Sequence, residues 1–331
     1  MFPRPFATTA APIHPVPGPT EVTLRAPAKV NLSLRVLAKR PDGFHDLETL
    51  MVAIGLWDTL RFGVLPADLD DGSIRLAVRV TSGARARHDA DRATNAPANS
   101  LSANNLSAGT DNLVWKAADL LRREAGVTTG VSIHLEKRIP WQAGLAGGSS
   151  DAASTLLGLN RLWGLNWPLE RLRDLGATLG SDIPFFLAGS TAAVCRGRGE
   201  IVEPVELGRS LPLVVLKPPS GLSTPLVFRH CRPEPAPDSD CAALVDDIRS
   251  GNLARGAGRL CNTLQAPAES LNEDVRNTRR AFERLPFLGH RMSGSGTSWF
   301  GICRNWSEAR TLGARLRACR LGEVFVVRTL V

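Results

Sequence analysis

Gln142-Ala143-Gly144-Leu145-Ala146-Gly147-Gly148-Ser149-Ser150-Asp151-Ala152-Ala153 is the stretch on which the reading of this chain turns. It holds three glycines and two serines, and Leu156, Leu157 and Leu159 follow. The alternating run Val131-Ser132-Ile133-His134-Leu135 precedes it, so the local order is strand, glycine-rich turn, helix. Such a turn presents consecutive backbone N–H groups at a helix N-terminus, where the helix dipole adds partial positive charge. That is a place to hold a phosphate. No Gly-Lys-Ser or Gly-Lys-Thr occurs in the chain, so a Walker lysine is absent. Backbone amides and hydroxyls would have to do the holding. Taken alone, the loop also reads as a plain tight connection between strand and helix.

Outward from this loop, the bulk composition narrows the classes. The chain has 331 residues, 43% of them hydrophobic, which allows a sizeable core and predicts two domains at about 150 residues each. A net charge of +8 suits an anionic ligand. Aromatic content is 5% with no tyrosine, which argues against base-stacking platforms for single-stranded nucleic acid. Only five of the 40 basic residues are lysine, so a lysine in a suggestive place stands out. The six cysteines form no C-x-x-C pair, which disfavours zinc and suits free thiols in the cytoplasm. No apolar run approaches the ~18 residues of a membrane helix. Residues 1–20 are proline-rich without a long apolar core, and they read as a disordered leader rather than a secretory signal.

Folded sequence is expected from Glu21. Glu21-Val22-Thr23-Leu24-Arg25-Ala26 alternates as a strand, and a second strand follows over 27–36. There Val30, Leu32, Leu34 and Val36 share one face, and Lys29, Asn31, Ser33 and Arg35 share the other, so Lys29 and Asn31 are neighbours. Arg40-Pro41-Asp42-Gly43-Phe44-His45 is a turn that delivers an aromatic and a histidine. Residues 74–80 read as a strand. Residues 81–111 lack apolar periodicity and read as a long flexible insertion. Asp111 is placed to cap a helix over 112–124, with Leu113, Ala117, Leu120 and Leu121 as its apolar stripe.

After the glycine loop a helix is expected to about Leu162, and Pro168 opens another. Gly180-Ser181-Asp182-Ile183-Pro184-Phe185-Phe186 puts Asp182 at the start of a further helical turn. A hairpin is expected around Arg196-Gly197-Arg198-Gly199, a buried strand over 211–216, a loop over 233–239, and helices over 240–249, 251–262 and 272–284. Met292-Ser293-Gly294-Ser295-Gly296-Thr297-Ser298 is a second glycine-serine loop, leading to a strand over 299–302, a helix over 306–318 and a strand over 323–329. Short strands and helices mix without strict βα alternation, which makes the fold class α+β.

Four segments together resemble the GHMP small-molecule kinases: Pro27-Ala28-Lys29-Val30-Asn31-Leu32, the run from Gly144 to Ala153, the run from Gly180 to Phe186, and Ser293-Gly294-Ser295-Gly296-Thr297. The likeness covers roughly residues 21–329. Arg40 to His45 and Leu222-Ser223-Thr224-Pro225-Leu226-Val227-Phe228 resemble one branch of that superfamily, whose acceptor is a cytidine diphosphate conjugate of methylerythritol. The resemblance implies a two-domain α+β fold with the active site in the interdomain cleft. It divides the chain into an ATP-binding domain over 21–206 and a C-terminal domain over 207–331. It implies ATP-dependent phosphorylation of the acceptor's 2-hydroxyl, in the methylerythritol phosphate route to isoprenoid precursors, with ATP and Mg2+ required. A small-molecule substrate is expected, with no nucleic acid or membrane partner, in a monomer or homodimer.

Phosphoryl transfer to an alcohol needs an aligned hydroxyl, a group to take its proton, and positive charge where negative charge gathers. The resemblance gives Asp182 the proton-accepting role and Lys29 the charge-stabilising one. The plainer readings are a helix cap for Asp182 and a solvated lysine on a strand edge for Lys29. Gly144, Leu145, Ala146, Gly147, Gly148, Ser149 and Ser150 would bind ATP. Ser149 or Ser150 is a possible Mg2+ ligand, since this ion takes oxygen donors. Asp151 reads as a cap of the helix that begins there. Asn31, Phe44, His45, Thr224 and Phe228 would bind the acceptor: Phe44 by stacking on cytosine, His45 by bonding its edge, and Phe228 from the other face unless it is core. The family usually has tyrosine at Phe44; the missing hydroxyl forfeits at most one hydrogen bond, about 0.5–1.5 kcal/mol. Ala146 replaces a commoner glycine. The 81–111 segment exceeds the family's usual connection and precedes Asp111-Asn112, which the fold would place near the adenine. The rivals are a GHMP kinase acting on homoserine, mevalonate or a sugar, and a non-catalytic relative that binds nucleotide or nucleic acid.

Overall fold

Two long strands begin the fold, β1 (Glu21–Lys39) and β2 (His45–Val64), joined by the turn over 40–44 and paired antiparallel almost end to end. A computed structural model describes residues 19–66, 68–81, 108–233 and 240–331. Nearly all of the expected leader, most of the 81–111 insertion and most of the 233–239 loop therefore lie outside the described residues. The two strands expected over 21–36 are one. Pro27 does not end β1, because the ladder shifts register between Pro27 and Ala28, and a bulge tolerates a residue that has no N–H to donate.

The first sheet runs β3 (Ile74–Val80), β4 (Val131–Lys137), β2, β1, β8 (Cys261–Asn262). The first half of β2 also pairs with β5 (Ala192–Gly197), which forms the expected hairpin with β6 (Ile201–Pro204). Over this sheet lie α1 (Leu113–Ala125) and α2 (Gly147–Leu162), followed by α3 (Leu169–Ala177) and α4 (Ile183–Phe186). Phe62, Ile133, Leu121, Leu156 and Leu159 are fully buried between them, each contributing roughly 1.5–3 kcal/mol.

The second sheet, β11 (Glu323–Arg328), β7 (Pro212–Lys217), β10 (Trp299–Ile302), β9 (Gly289–Met292), is antiparallel throughout. It is packed with α5 (Thr224–His230), α6 (Asp240–Arg249), α7 (Leu253–Gly258), α8 (Gln265–Leu271), α9 (Glu273–Glu283) and α10 (Trp306–Ala318). The chain leaves the first sheet after Pro204 and enters the second at Pro212. The division expected at 206–207 falls within that connection. One hydrophobic core crosses it: Leu32, Val52 and Ile54 of the first sheet cluster with Val215 and Phe300 of the second and Leu244 of α6.

Three local expectations are corrected. Asn112, not Asp111, caps α1, its side-chain oxygen accepting from Val114 N at 2.9 Å. The buried face of α1 is Val114, Ala117, Ala118 and Leu121, a step round from the expected stripe. The helix expected over 251–262 stops at Gly258, and the chain turns to place β8 beside β1. The helix α8 and the strand β9 carry too little periodicity to be read from their residues; Gly289-His290-Arg291 is half-buried with no alternation.

Candidate active site

Lys29 stands on β1 and is 3% exposed, so it is not a solvated strand-edge lysine. Its Nζ donates to Asn31 Oδ1 at 2.6 Å and to the Gly144 carbonyl at 3.2 Å, and lies 3.7 Å from Asp182 Oδ2. Asn31 is oriented in turn: its Nδ2 donates to Thr49 Oγ1 at 2.8 Å, and Thr49 Oγ1 donates to the Ser33 carbonyl. Asp182 occupies the cap position of α4, but its side chain makes no capping bond. The carboxylate faces Lys29 instead and stays 31% exposed to the cleft.

The two glycine loops meet at this point. Gly144 has φ +71° and approaches the second loop so closely that a Cβ there would lie 2.1 Å from the Ser293 carbonyl oxygen. Ser293 Oγ donates to the Gly144 carbonyl at 3.0 Å and accepts from Asn31 N at 3.3 Å. Asn262, on β8, donates to the carbonyls of Met292 and Gly294, both at 2.8 Å, and so shapes the second loop. Thr224 Oγ1 lies 2.7 Å from Ser295 Oγ. Segments far apart in sequence thus converge on Lys29.

A cleft of about 1420 Å³ opens above them. On one side are Gly144, Ala146, Gly147, Gly148 and Ser149. Ala146 caps α2 in the left-handed region, φ +55° and ψ +30°, with no side-chain cap bond, and the first N–H groups of a helix have no intrahelical partner. Leu145 and Ser150 do not border it. Leu145 is buried in the shared core, its carbonyl accepting from Lys29 N at 3.1 Å. Ser150 is fully buried, and its Oγ has no hydrogen-bond partner. Asp151 does not cap α2. It lies a turn inside the helix, buried, with Oδ2 accepting from Lys137 Nζ at 2.6 Å. Burial, opposed by Lys137 and reinforced by Asp58, pushes its carboxyl up to about 8. Burial pulls Lys137 down, but Asp151 and Asp58 outweigh it and hold the ammonium above its ordinary range.

Across the cleft stands the aromatic side. The turn over 40–44 is closed by Arg40 N donating to the Phe44 carbonyl and by Phe44 N donating to Asp42 Oδ1 at 3.0 Å, and it leaves Phe44 50% exposed. The His45 ring lies 5.2 Å from that of Phe228. Phe228 serves both readings: it packs partly against the buried cluster of the second half that includes Leu216, Val227 and Trp299, and it also borders the cleft. Burial, and then the charge of Lys39, hold His45 below its ordinary value.

Residue-by-residue reading missed several members of the site. Arg198 lies with its guanidinium 4.8 Å from the centre of the Phe44 ring, a cation–π contact. From sequence alone its run reads only as a hairpin tip. Asn262 and Asp58 carried no signal. Lys137 carried one, as one of five lysines.

Comparisons with known proteins bear on the fold and the family. Residues 112–190 match the GHMP kinases N terminal domain and residues 243–319 the GHMP kinases C terminal domain. The 4-diphosphocytidyl-2-C-methyl-D-erythritol kinase of Pelotomaculum thermopropionicum is 38% identical over 309 residues, 93% of this chain and 98% of that one. A crystal structure of 4-(cytidine 5'-diphospho)-2C-methyl-D-erythritol kinase superposes with a TM-score of 0.72 at 35% identity, covering 93% of this chain and 99% of that one. A homoserine kinase from Cytophaga hutchinsonii shares the fold, with a TM-score of 0.66 over 95% of each chain, at only 15% identity. The shared fold is thus wider than the shared sequence, and the sequence likeness spans both halves: this chain is a GHMP kinase of the 4-diphosphocytidyl-2-C-methyl-D-erythritol kinase family.

Proposed function

We propose that this kinase transfers the terminal phosphoryl group of ATP to the 2-hydroxyl of 4-diphosphocytidyl-2-C-methyl-D-erythritol, releasing ADP and the 2-phosphate. The observation that carries the reading is the Lys29–Asp182 pair, 3.7 Å apart at the floor of a cleft with a glycine loop on one side and Phe44, His45 and Phe228 on the other. Asp182 accepts the proton of the attacking hydroxyl. Lys29 holds that carboxylate in place and stabilises the charge that develops on the acceptor and transferred oxygens. The Gly147 and Gly148 amides and Ser149 cradle the phosphates at the α2 N-terminus. Phe44 stacks on cytosine, His45 bonds its edge, and Thr224 and Asn31 line the path between base and hydroxyl. Arg198 steadies the Phe44 ring.

ATP belongs to the chemistry of the family. Mg2+ fits not Ser150, which is buried outside the cleft lining, but Ser149, whose hydroxyl oxygen stands at the phosphate end of the cleft. Bound there with the nucleotide, it would neutralise phosphate charge. No helix among the described residues is long and apolar enough to cross a membrane, and we assign the enzyme to the cytoplasm, where its soluble phosphorylated substrate would be.

The test is ADP release from ATP and Mg2+ with the cytidine diphosphate methylerythritol acceptor. Turnover on that acceptor, and none on homoserine, mevalonate or a sugar, is expected. Release only on one of the latter would assign the cleft to another GHMP reaction.

A further inference from the structure

Under the glycine loop lies a nearly buried ionic cluster, two of whose members, Lys137 and Asp151, also border the cleft. Lys137 is the last residue of β4, Asp58 stands on β2, and Asp151 lies in the second turn of α2. Lys137 Nζ donates to Asp151 Oδ2 at 2.6 Å and also to Asp58 Oδ2, and none of the three side chains is more than 6% exposed. The other oxygen of Asp58 accepts from the backbone N–H groups of Arg138 and Ile139, at 2.5 and 2.8 Å. One carboxylate therefore holds the chain as it leaves β4, and the ammonium carries the tie across to α2. Gly147, the first residue of α2, rests on the same place. A Cβ there would lie 2.8 Å from Ile139 Cγ2 and 3.2 Å from Lys137 Nζ.

Everything between these anchors, residues 140–150, is the phosphate loop. Its two ends are joined through one ammonium. Two aspartates and a lysine are costly to bury, and apolar residues of the same volume commonly stabilise as much or more. What such residues lack is directed bonds that set the distance from strand end to helix start. We infer that Asp58, Lys137 and Asp151 are positioning residues for the nucleotide: they fix the spacing of the loop's two ends, and so the aim of its N–H groups at the triphosphate. The inference rests on the phosphate-loop reading above. A displacement of about 1 Å at the α2 N-terminus takes donors out of hydrogen-bond reach of a phosphate oxygen. The acceptor side stands mainly on other supports, the 40–44 turn and α5; it shares only β2 with the cluster, where His45 lies 13 residues from Asp58.

The test measures binding of MgADP and of the cytidine diphosphate acceptor, separately, by calorimetry, in wild type, Asp151→Ala and Asp151→Asn. The alanine variant should bind MgADP about tenfold more weakly, with acceptor affinity within about twofold. The asparagine variant keeps an oxygen for Lys137 and should stay within about threefold of wild type for both ligands. If the alanine variant does not fold, Asp151→Ser replaces it, since its hydroxyl suits the buried site but ends short of Lys137. Wild-type MgADP affinity in the truncated variant, equal loss of both ligands, or an asparagine variant as weak as alanine would each overturn the inference. Turnover of the wild type is measured alongside. Intact MgADP binding without turnover of this acceptor refutes the assigned reaction and leaves the clamp standing. Turnover with MgADP binding indifferent to residue 151 refutes the clamp alone.

Discussion

Asp182 carries the most direct prediction at the level of single residues. Its carboxylate is free of the helix cap and faces Lys29, so neutralising it removes the proposed proton acceptor while leaving the volume. Asp182→Asn should lower kcat by about 10²–10⁴-fold, or roughly 3–5 kcal/mol, with MgADP and acceptor affinities changed less than about threefold. Steady-state kinetics and calorimetry read both, and near-native turnover would remove the assigned base. His45 adds a pH dependence. Burial first, then Lys39, depress its pKa, so the neutral ring is the native form at neutral pH. The sign follows from that depression: what neutral His45 contributes to folding and binding is present above its unfolded value and is lost as pH falls through its folded one. The acceptor KM should therefore rise on acidification from about pH 7.5 to about pH 5.5, the ATP KM should not follow it, and His45→Gln should flatten the rise. Parallel changes in both KM values would place the titration elsewhere. These residues could be singled out as candidates because Lys29, Asn31, Asp182, Phe44 and His45 each sit in a short local motif. Arg198 was not: its contact with Phe44 joins two hairpins that meet only in the fold.

The glycine loop and α2 show what the elements themselves decide. Strand, loop and helix follow from local composition; the structure ends the strand and the helix close to expectation but starts the helix at Gly147, ahead of the expected Asp151 cap. Ala146 is the exception that matters. An alanine in the left-handed region costs roughly 1–2 kcal/mol, and a glycine's extra freedom in the unfolded chain returns about 0.4–1 kcal/mol of that. Ala146→Gly should therefore stabilise by about 0.5–1 kcal/mol and raise the melting temperature by about 2 °C, with the ATP KM within twofold. A lower melting temperature would show the turn to be unstrained. The role of Asp151 was misread at this scale. Near a glycine-rich helix start an aspartate reads as a cap, but the helix begins at Gly147, which carries Asp151 past the first turn and into the interior. Helix starts are set by where backbone bonding begins, and a run of glycines and serines leaves that point open by several residues. The α1 cap moved from Asp111 to Asn112 for the same reason.

Across the whole molecule, the two halves are less separate than their lengths suggest. The shared core puts Leu32 and Ile54 of one sheet against Val215 and Phe300 of the other. β8, from the second half, completes the first sheet beside β1, and near the C-terminus Leu330 N donates to the Ala53 carbonyl on β2. Residues 21–206 produced alone would expose that core and lose those pairings. We expect such a fragment to lack a cooperative thermal transition by circular dichroism, while the full chain melts in one step. A cooperatively melting fragment would mean that the halves are independent after all. The sequence by itself determined the α+β class, the two glycine-serine loops, the chemistry-bearing residues and the kinase family, because periodicity, turn chemistry and short motifs are properties of neighbouring residues. Only the tertiary structure decided which of these residues meet. The Lys29–Asp182 pair, the clasp between Gly144 and Ser293, the Asn262 brace and the Lys137 cluster each join segments whose sequence separation carries no local signal. They form because burying the apolar faces of two sheets in one core brings their polar ends to the same cleft.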